Sequence, residues 1–147
     1  MTTQHAGEHG HRIVVGVDGS DQSKAALAWA VREAALTGAT VDAVIAWEFP
    51  ANYGYPVPAP PVLDYPGLAT KVVARAVAAV LSTDERVIVS PQVVEGNAAQ
   101  VLLDAAAGAD LLVVGSHGHS GFVGALLGSV SQHCVHHAAC PVAVIRG

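Results

Sequence analysis

A glycine-rich segment in the last third of the chain carries the strongest chemical signal. It reads Gly115-Ser116-His117-Gly118, and Gly128-Ser129 follows after nine further residues. An apolar run precedes it and a helix-like run, Val130 to His137, follows it. Glycines allow a backbone to approach a ligand closely, and a helix start offers unpaired N–H groups and the positive end of a dipole. The pattern therefore predicts an anion site, with phosphate as the favoured anion.

Positive side chains are scarce around this loop. No Lys or Arg occurs between Arg86 and Arg146, whereas a Walker-type loop places a Lys on the β- and γ-phosphates. Backbone N–H groups, the helix dipole, a divalent cation such as Mg2+, or protonated His117 and His119 would have to balance a phosphate. Because phosphoryl transfer depends on preorganised positive charge, the sequence favours binding over rapid hydrolysis.

The elements that position the loop alternate between strands and helices. Apolar runs predict strands at 12–17, 41–47, 87–94, 111–114 and 142–145. Apolar residues spaced along one helix face predict helices at 21–37, 68–80, 97–107 and 130–137. Such alternation predicts a parallel sheet with helices on both faces. Ligands of these sheets bind beyond the carboxyl ends of the strands, where the strand order reverses. Asp18 and Gly115 both lie at the carboxyl ends of strands, the first and the fourth. If these two strands are neighbours in the sheet, the turns that follow them face the same crevice.

Bulk composition limits the possible functions. The chain has 147 residues, of which 13% are charged, and carries a net charge of −5, which predicts one domain with a large core. The negative charge argues against binding to nucleic acid or an anionic membrane surface. No apolar run reaches the ~18 residues of a membrane span, and we expect a cytoplasmic protein. Cys134 and Cys140 do not form a disulfide framework.

Two segments fall outside the alternating pattern. Residues 1–11 are polar and predict a flexible tail ahead of a domain at 12–147. Residues 49–66 contain six of the eight prolines and predict a long loop of the kind that often serves function.

Three motifs make the chain similar to the universal stress proteins. They are Val-Asp-Gly-Ser at 17–20, the pattern Gly-x-x-Gly-x9-Gly-Ser at 115–129, and Cys-Pro-Val-Ala-Val-Ile-Arg at 140–146. The resemblance covers nearly all of residues 12–146, and the complete glycine pattern is typical of the ATP-binding branch. It implies a Rossmann-like α/β fold with five parallel strands in the order 3-2-1-4-5 and a homodimer paired through the last strand, Val142 to Ile145. An uncovered apolar edge favours such pairing independently.

The resemblance also implies roles for individual residues. Asp18 would contact the ribose or the adenine side, and Ala46 would meet the adenine through its backbone. Gly115 and Gly118 would let the chain pass close to the ribose and phosphates. The remaining candidates around the phosphates are Ser116, His117, His119, Gly128, Ser129, Val130 and Ser131. The ligand would be ATP, or AMP, ADP or cyclic AMP, either alone or with Mg2+, and its occupancy would be sensed by an unidentified protein partner in a stress response.

Several alternatives stay open at this point. Asp18 could cap the first helix, with Ser20 or Asp21 as the other capping candidates, and Ser129 could cap the last helix. A nucleotide hydrolase of related fold and a ligand-free dimeric interaction module are the rival functions; no catalytic residue is identified. The histidines and cysteines at 133–140 make zinc a minor alternative. If His117 and His119 meet the phosphates, nucleotide affinity should rise as the pH falls from about 7.5 to 6.

Overall fold

The computed structural model describes residues 11–49, 63–82, 86–118 and 127–146. Its elements in chain order are β1 (Arg12–Gly16), α1 (Asp21–Thr37), β2 (Thr40–Trp47), α2 (Tyr65–Leu81), β3 (Val89–Glu95), α3 (Ala98–Ala105), β4 (Leu111–Gly115), α4 (Ser129–His137) and β5 (Val142–Ile145). All strand pairs are parallel, in the order β3-β2-β1-β4-β5. The predicted single-domain α/β fold is confirmed. Among the described helices, none is both long and apolar enough to cross a membrane.

The sheet is covered on both faces, which explains why its central strands, β1 and β4, read as continuous apolar runs. On one face, Val15 of β1 packs into the cluster that contains Leu27 of α1. On the other face, Val14 belongs to the cluster of Leu102 from α3 and Cys134 from α4. All five are almost completely buried, so the apolar side chains of β1 alternate between the two cores.

Local capping fixes the ends of α1, the helix that follows β1. The Ser20 side chain accepts a hydrogen bond from the backbone N of Ser23 at 3.2 Å, which makes Ser20 the N-cap. Gly38 ends the helix with φ at 78°, and its N–H donates to Ala34 O. Of the three capping candidates from the sequence, Asp18, Ser20 and Asp21, the structure selects Ser20.

Several predicted boundaries were wrong, most of them by one or two residues. The helix α2 begins at Tyr65, inside the segment predicted as the 49–66 loop, because Asp64 caps it and Pro66 fits its first turn. Residues 50–62 of that loop, like most of the 1–11 tail, lie outside the described residues. Strand β3 spans Val89–Glu95 rather than 87–94. Pro91 is tolerated there because β3 is an edge strand of the described sheet.

At the amino ends of the strands, Arg12 ties three elements together. Its guanidinium donates to Asp42 Oδ2 of β2 at 3.1 Å and to the carbonyl oxygens of Ala105 and Ala107 at 3.0 Å. These carbonyls lie at the end of α3, where a cation also opposes the helix dipole. The contact anchors α3 to β1 at the amino ends of the strands, opposite their carboxyl ends.

Candidate functional site

A cavity of about 300 Å3 lies at the carboxyl ends of β1, β2 and β4, beside α3 and the start of α4. Strands β1 and β4 are neighbours in the sheet, although the chain leaves β1 toward β2. The cavity therefore lies at the point where the strand order reverses, which is the general ligand position in open α/β sheets.

Most residues predicted for the site line this cavity. They are Asp18, Ala46, Gly115, His117, Gly118, Gly128, Ser129, Val130 and Ser131. His119 lies outside the described residues. Ser116 is described but does not belong to the lining: it is buried, and its hydroxyl donates to Gln22 Oε1 at 3.0 Å. The structure thus places Ser116 behind the cavity wall, as a residue that holds the wall in place.

Asp18 lines the cavity, and hydrogen bonds from the turn that follows it hold its carboxylate in place. Its Oδ1 accepts hydrogen bonds from the backbone N of Ser20 at 2.9 Å and from the Ser20 hydroxyl. Asp18 therefore orients the N-cap of α1 but does not cap the helix itself. The other oxygen, Oδ2, lies beside Gly118, where an added Cβ would come within 2.5 Å of it.

The motif glycines are required for space rather than for unusual backbone angles. Among the described residues, glycines with positive φ lie elsewhere, at 19, 38, 96 and 108. A Cβ at Gly128 would lie 3.3 Å from the Cα of His117, and one at Gly115 would lie 3.0 Å from the backbone carbon of Gln22. Gly128 thus brings α4 against the loop, and Gly115 brings β4 against α1.

The N-terminus of α4 is open toward the cavity. Gly128 is the N-cap and has no side chain with which to bond the first-turn N–H groups. Ser129 is the first helical residue, so the interpretation of Ser129 as an N-cap was wrong. Ser129 and Val130 both line the cavity, and the first turn carries no acidic residue. An uncapped helix start with its dipole facing a cavity is suited to an anion.

Ser131 lines the cavity with its hydroxyl already engaged by the protein. Its Oγ lies 2.9 Å from Ser116 O and 3.1 Å from Gly128 O, and the residue is only 3% exposed. One hydroxyl hydrogen serves these two carbonyl oxygens. Ser131 consequently joins α4 to the end of β4.

The apolar wall of the cavity was not predicted from the sequence. Its members include Val44, Leu102 and Val114, together with the backbone of Gly16. A Cβ at Gly16 would lie 2.7 Å from Leu102 Cδ1, so this glycine lets the Leu102 side chain cover the strand end. The glycine inside the run Val-Val-Gly-Val at 14–17 was the sequence signal for this close contact.

Charge in the cavity is sparse. The structure describes all seven Lys and Arg residues of the chain, and none of them lines the cavity. Asp18 and His117 are the ionisable side chains among the described lining. Any phosphate charge held there would face mainly backbone N–H groups and the α4 dipole.

The described residues offer little support for the zinc alternative. No group of three or more His, Cys, Asp or Glu side chains among them is placed to hold a metal ion. The rings of His133 and His137 lie 4.5 Å apart on the outside of α4. Cys134 is fully buried, and burial raises the pKa of its thiol to about 11. Cys134 is therefore a core residue with a neutral thiol.

A cavity at the strand-order reversal, lined by an open helix N-terminus and a carboxylate, is typical of α/β proteins with a Rossmann-like fold and is suited to an anionic ligand. The model of the universal stress protein family matches residues 10–146, and the chain belongs to this family. Universal stress protein Rv2005c of Mycobacterium tuberculosis is 39% identical over 144 residues, covering 91% of this chain and 45% of that protein. The chain thus spans about half the length of the curated relatives it matches.

Solved structures agree with this assignment. A universal stress protein crystallised in complex with cAMP has a TM-score of 0.69 and 28% sequence identity, covering 92% of this chain and 96% of that one. The universal stress protein of Archaeoglobus fulgidus in complex with dAMP has a TM-score of 0.66, covering 92% of this chain and 98% of that one. Its identity is 22%, so it shows a common fold.

Proposed function

We propose that this chain binds an adenine nucleotide, ATP or one of AMP, ADP and cyclic AMP, and acts in a stress response through that occupancy. The observation that carries the proposal is the open N-terminus of α4, which lines the same cavity as Asp18 at the strand-order reversal. A related universal stress protein of 28% identity holds cAMP, which supports an adenine nucleotide as the ligand.

The cavity lining differs in chemistry from element to element, and this difference supports a division of the ligand. On β2 and α3, Val44, Ala46 and Leu102 form an apolar end, which suits a purine ring. At the start of α4, Gly128 and Ser129 form a phosphate end, where N–H groups suit phosphate oxygens. Asp18 also lines the cavity, and its carboxylate would accept hydrogen bonds from the ribose hydroxyls.

We expect ATP hydrolysis to be slow at most. No Lys or Arg lines the described cavity, and phosphoryl transfer gains its rate from fixed positive charge around the transition state. Mg2+ binds proteins through one or two carboxylates and substrate phosphates. Asp18 is the carboxylate in the described lining, so any Mg2+ would enter together with the nucleotide phosphates.

We further propose a homodimer through β5. This strand pairs with β4 on one side, and its four residues are only half-buried. An edge strand of Val, Ala and Ile leaves backbone donors and acceptors open to pairing. Replacing Val144 with Pro would remove a ladder donor, so light scattering should show a monomer or aggregate; a variant that stays dimeric would place the interface elsewhere.

Mass analysis of small molecules released from the freshly purified, denatured protein tests the ligand assignment. Thermal shift with ATP, ADP, AMP and cyclic AMP accompanies it. An adenine nucleotide in the extract, or a clear shift with one of the four, would support the proposal. An empty extract without any shift would favour the ligand-free interaction module, and rapid turnover with Mg2+ or Mn2+ would favour the hydrolase.

A further inference from the structure

Gln22 contacts the loop after β4 from behind the cavity. It lies in the first turn of α1 and does not belong to the cavity lining. Its side-chain oxygen, Oε1, accepts hydrogen bonds from the Ser116 hydroxyl at 3.0 Å and from the backbone N of His117. An amide oxygen has two lone pairs, and both are used here, so a single side chain holds two consecutive residues of the glycine-rich loop.

The backbone of Gln22 strengthens this contact. A Cβ on Gly115 would lie 3.0 Å from the carbonyl carbon and 3.1 Å from the Cβ of Gln22. The end of β4 therefore lies directly against the first turn of α1. Since the Ser20 cap fixes where this turn begins, the Gln22 side chain starts from a fixed position.

The loop residues held by Gln22 reach the open end of α4. Ser116 O accepts from the backbone N of Gly128 at 2.6 Å and from the Ser131 hydroxyl at 2.9 Å. Gly128 is the N-cap of α4. A continuous set of hydrogen bonds thus runs from Gln22 through Ser116 to the helix start.

We infer that Gln22 is a positioning residue for the phosphate end of the cavity, an inference that rests on the nucleotide-binding function proposed above. By fixing Ser116 and His117, it sets the distance between the loop backbone and the N–H groups at the start of α4. An anion held by backbone N–H groups depends on their mutual placement. The two hydrogen bonds that Gln22 Oε1 accepts come from Ser116 and His117, not from the apolar end at Ala46 and Leu102, so we expect purine binding to be independent of Gln22.

Isothermal titration with AMP and with adenosine measures the contribution of the phosphate directly. Gln22→Met keeps the length of the side chain and removes the acceptor. We expect the ratio of the adenosine Kd to the AMP Kd to fall about tenfold, the size of one or two lost hydrogen bonds, while the adenosine Kd stays within about twofold. A residue needed only for folding would weaken both ligands equally.

Two further variants complete the test. Ser116→Ala removes one of the two donors to Gln22, so the ratio of the adenosine Kd to the AMP Kd should fall by a smaller factor, about threefold. If Gln22→Met does not fold, the Kd ratio of Ser116→Ala tests the role of Gln22 instead. Gln132→Met, an exposed position on α4, is the matched control and should change neither Kd.

The outcomes separate the two proposals. Wild-type protein that binds neither AMP nor adenosine would overturn the nucleotide-binding function, and the role of Gln22 with it. Wild-type protein that binds AMP, together with an unchanged Kd ratio in Gln22→Met and Ser116→Ala, would overturn the role of Gln22 alone.

Discussion

The carboxylate of Asp18 lies so close to Gly118 that a Cβ at position 118 would come within 2.5 Å of its Oδ2. These residues follow two different strands, β1 and β4, which are neighbours in the sheet. The contact brings the candidate ribose acceptor next to the candidate phosphate loop. It also explains why residue 118 is a glycine, although its φ is not positive and its backbone does not itself require glycine.

Gly118→Ala should reduce nucleotide affinity about tenfold with little loss of stability. The added methyl group displaces the Asp18 carboxylate, which is the exposed end of a side chain rather than backbone, so the free energy of unfolding should change by less than about 1 kcal/mol. Titration calorimetry and thermal unfolding measure the two effects.

The double variant Gly118→Ala with Asp18→Ala is the control for this contact. If the Gly118 substitution acts by displacing Asp18, removal of the carboxylate should cause no further loss of affinity. Fully additive losses would show that the methyl group acts on the ligand by another route.

Ser129 and Ser131 should respond differently to the same substitution. Ser131→Ala removes a buried hydroxyl that serves two carbonyl oxygens, so the free energy of unfolding should fall by about 1 kcal/mol. Ser129 is exposed at the first position of α4, so Ser129→Ala should weaken nucleotide binding and leave stability unchanged. Equal stability losses in chemical denaturation would contradict this division.

Alkaline pH should destabilise the protein through Cys134. Burial raises the pKa of this thiol from 9.0 to about 11 in the folded state, so the folded state favours the protonated form. Its stabilising effect is complete below pH 9 and is lost as the pH rises toward 11, because the unfolded chain then gains free energy by ionising. Denaturant midpoints measured from pH 8 to 11 should fall.

Cys134→Ala should flatten that alkaline slope, although the smaller side chain lowers stability at every pH. Cys140 is less buried and its pKa is also raised, chiefly by burial, so Cys140→Ala should retain most of the slope. A slope of the same size in wild type and Cys134→Ala would rule out this thiol as its source.

Arg12→Met should destabilise the fold without changing nucleotide affinity. The substitution leaves Asp42, whose side chain is 15% exposed, without its ion pair, and it frees two carbonyl oxygens at the end of α3. We expect a loss of about 2–4 kcal/mol in the free energy of unfolding. Arg12 lies at the amino ends of the strands, so a selective loss of nucleotide affinity in the folded variant would contradict the location of the site.

The sequence predicted the centre of the sheet because β1 and β4 are buried on both faces, which leaves a continuous apolar run in each. It predicted most polar and glycine members of the candidate site because loop chemistry is local: Asp18, Gly118 and Gly128 each follow or precede a recognisable element. Leu102 and Gln22 were missed for a physical reason. Leu102 of α3 covers Gly16 of β1, and Gln22 of α1 bonds the loop after β4. Both contacts join segments distant in sequence, and nothing in the sequence next to either residue indicates its partner.

A two-dimensional NMR titration of the 15N-labelled protein with AMP tests the central claim most directly. We predict that the amide signals that shift belong to the carboxyl ends of β1, β2 and β4 and to the first turn of α4, with Asp18, Gly118, Ser129 and Val130 among the most affected. Signals of the opposite end of the sheet, around Arg12, should stay in place. An absence of shifts at millimolar AMP, or shifts confined to residues outside the cavity, would contradict the account.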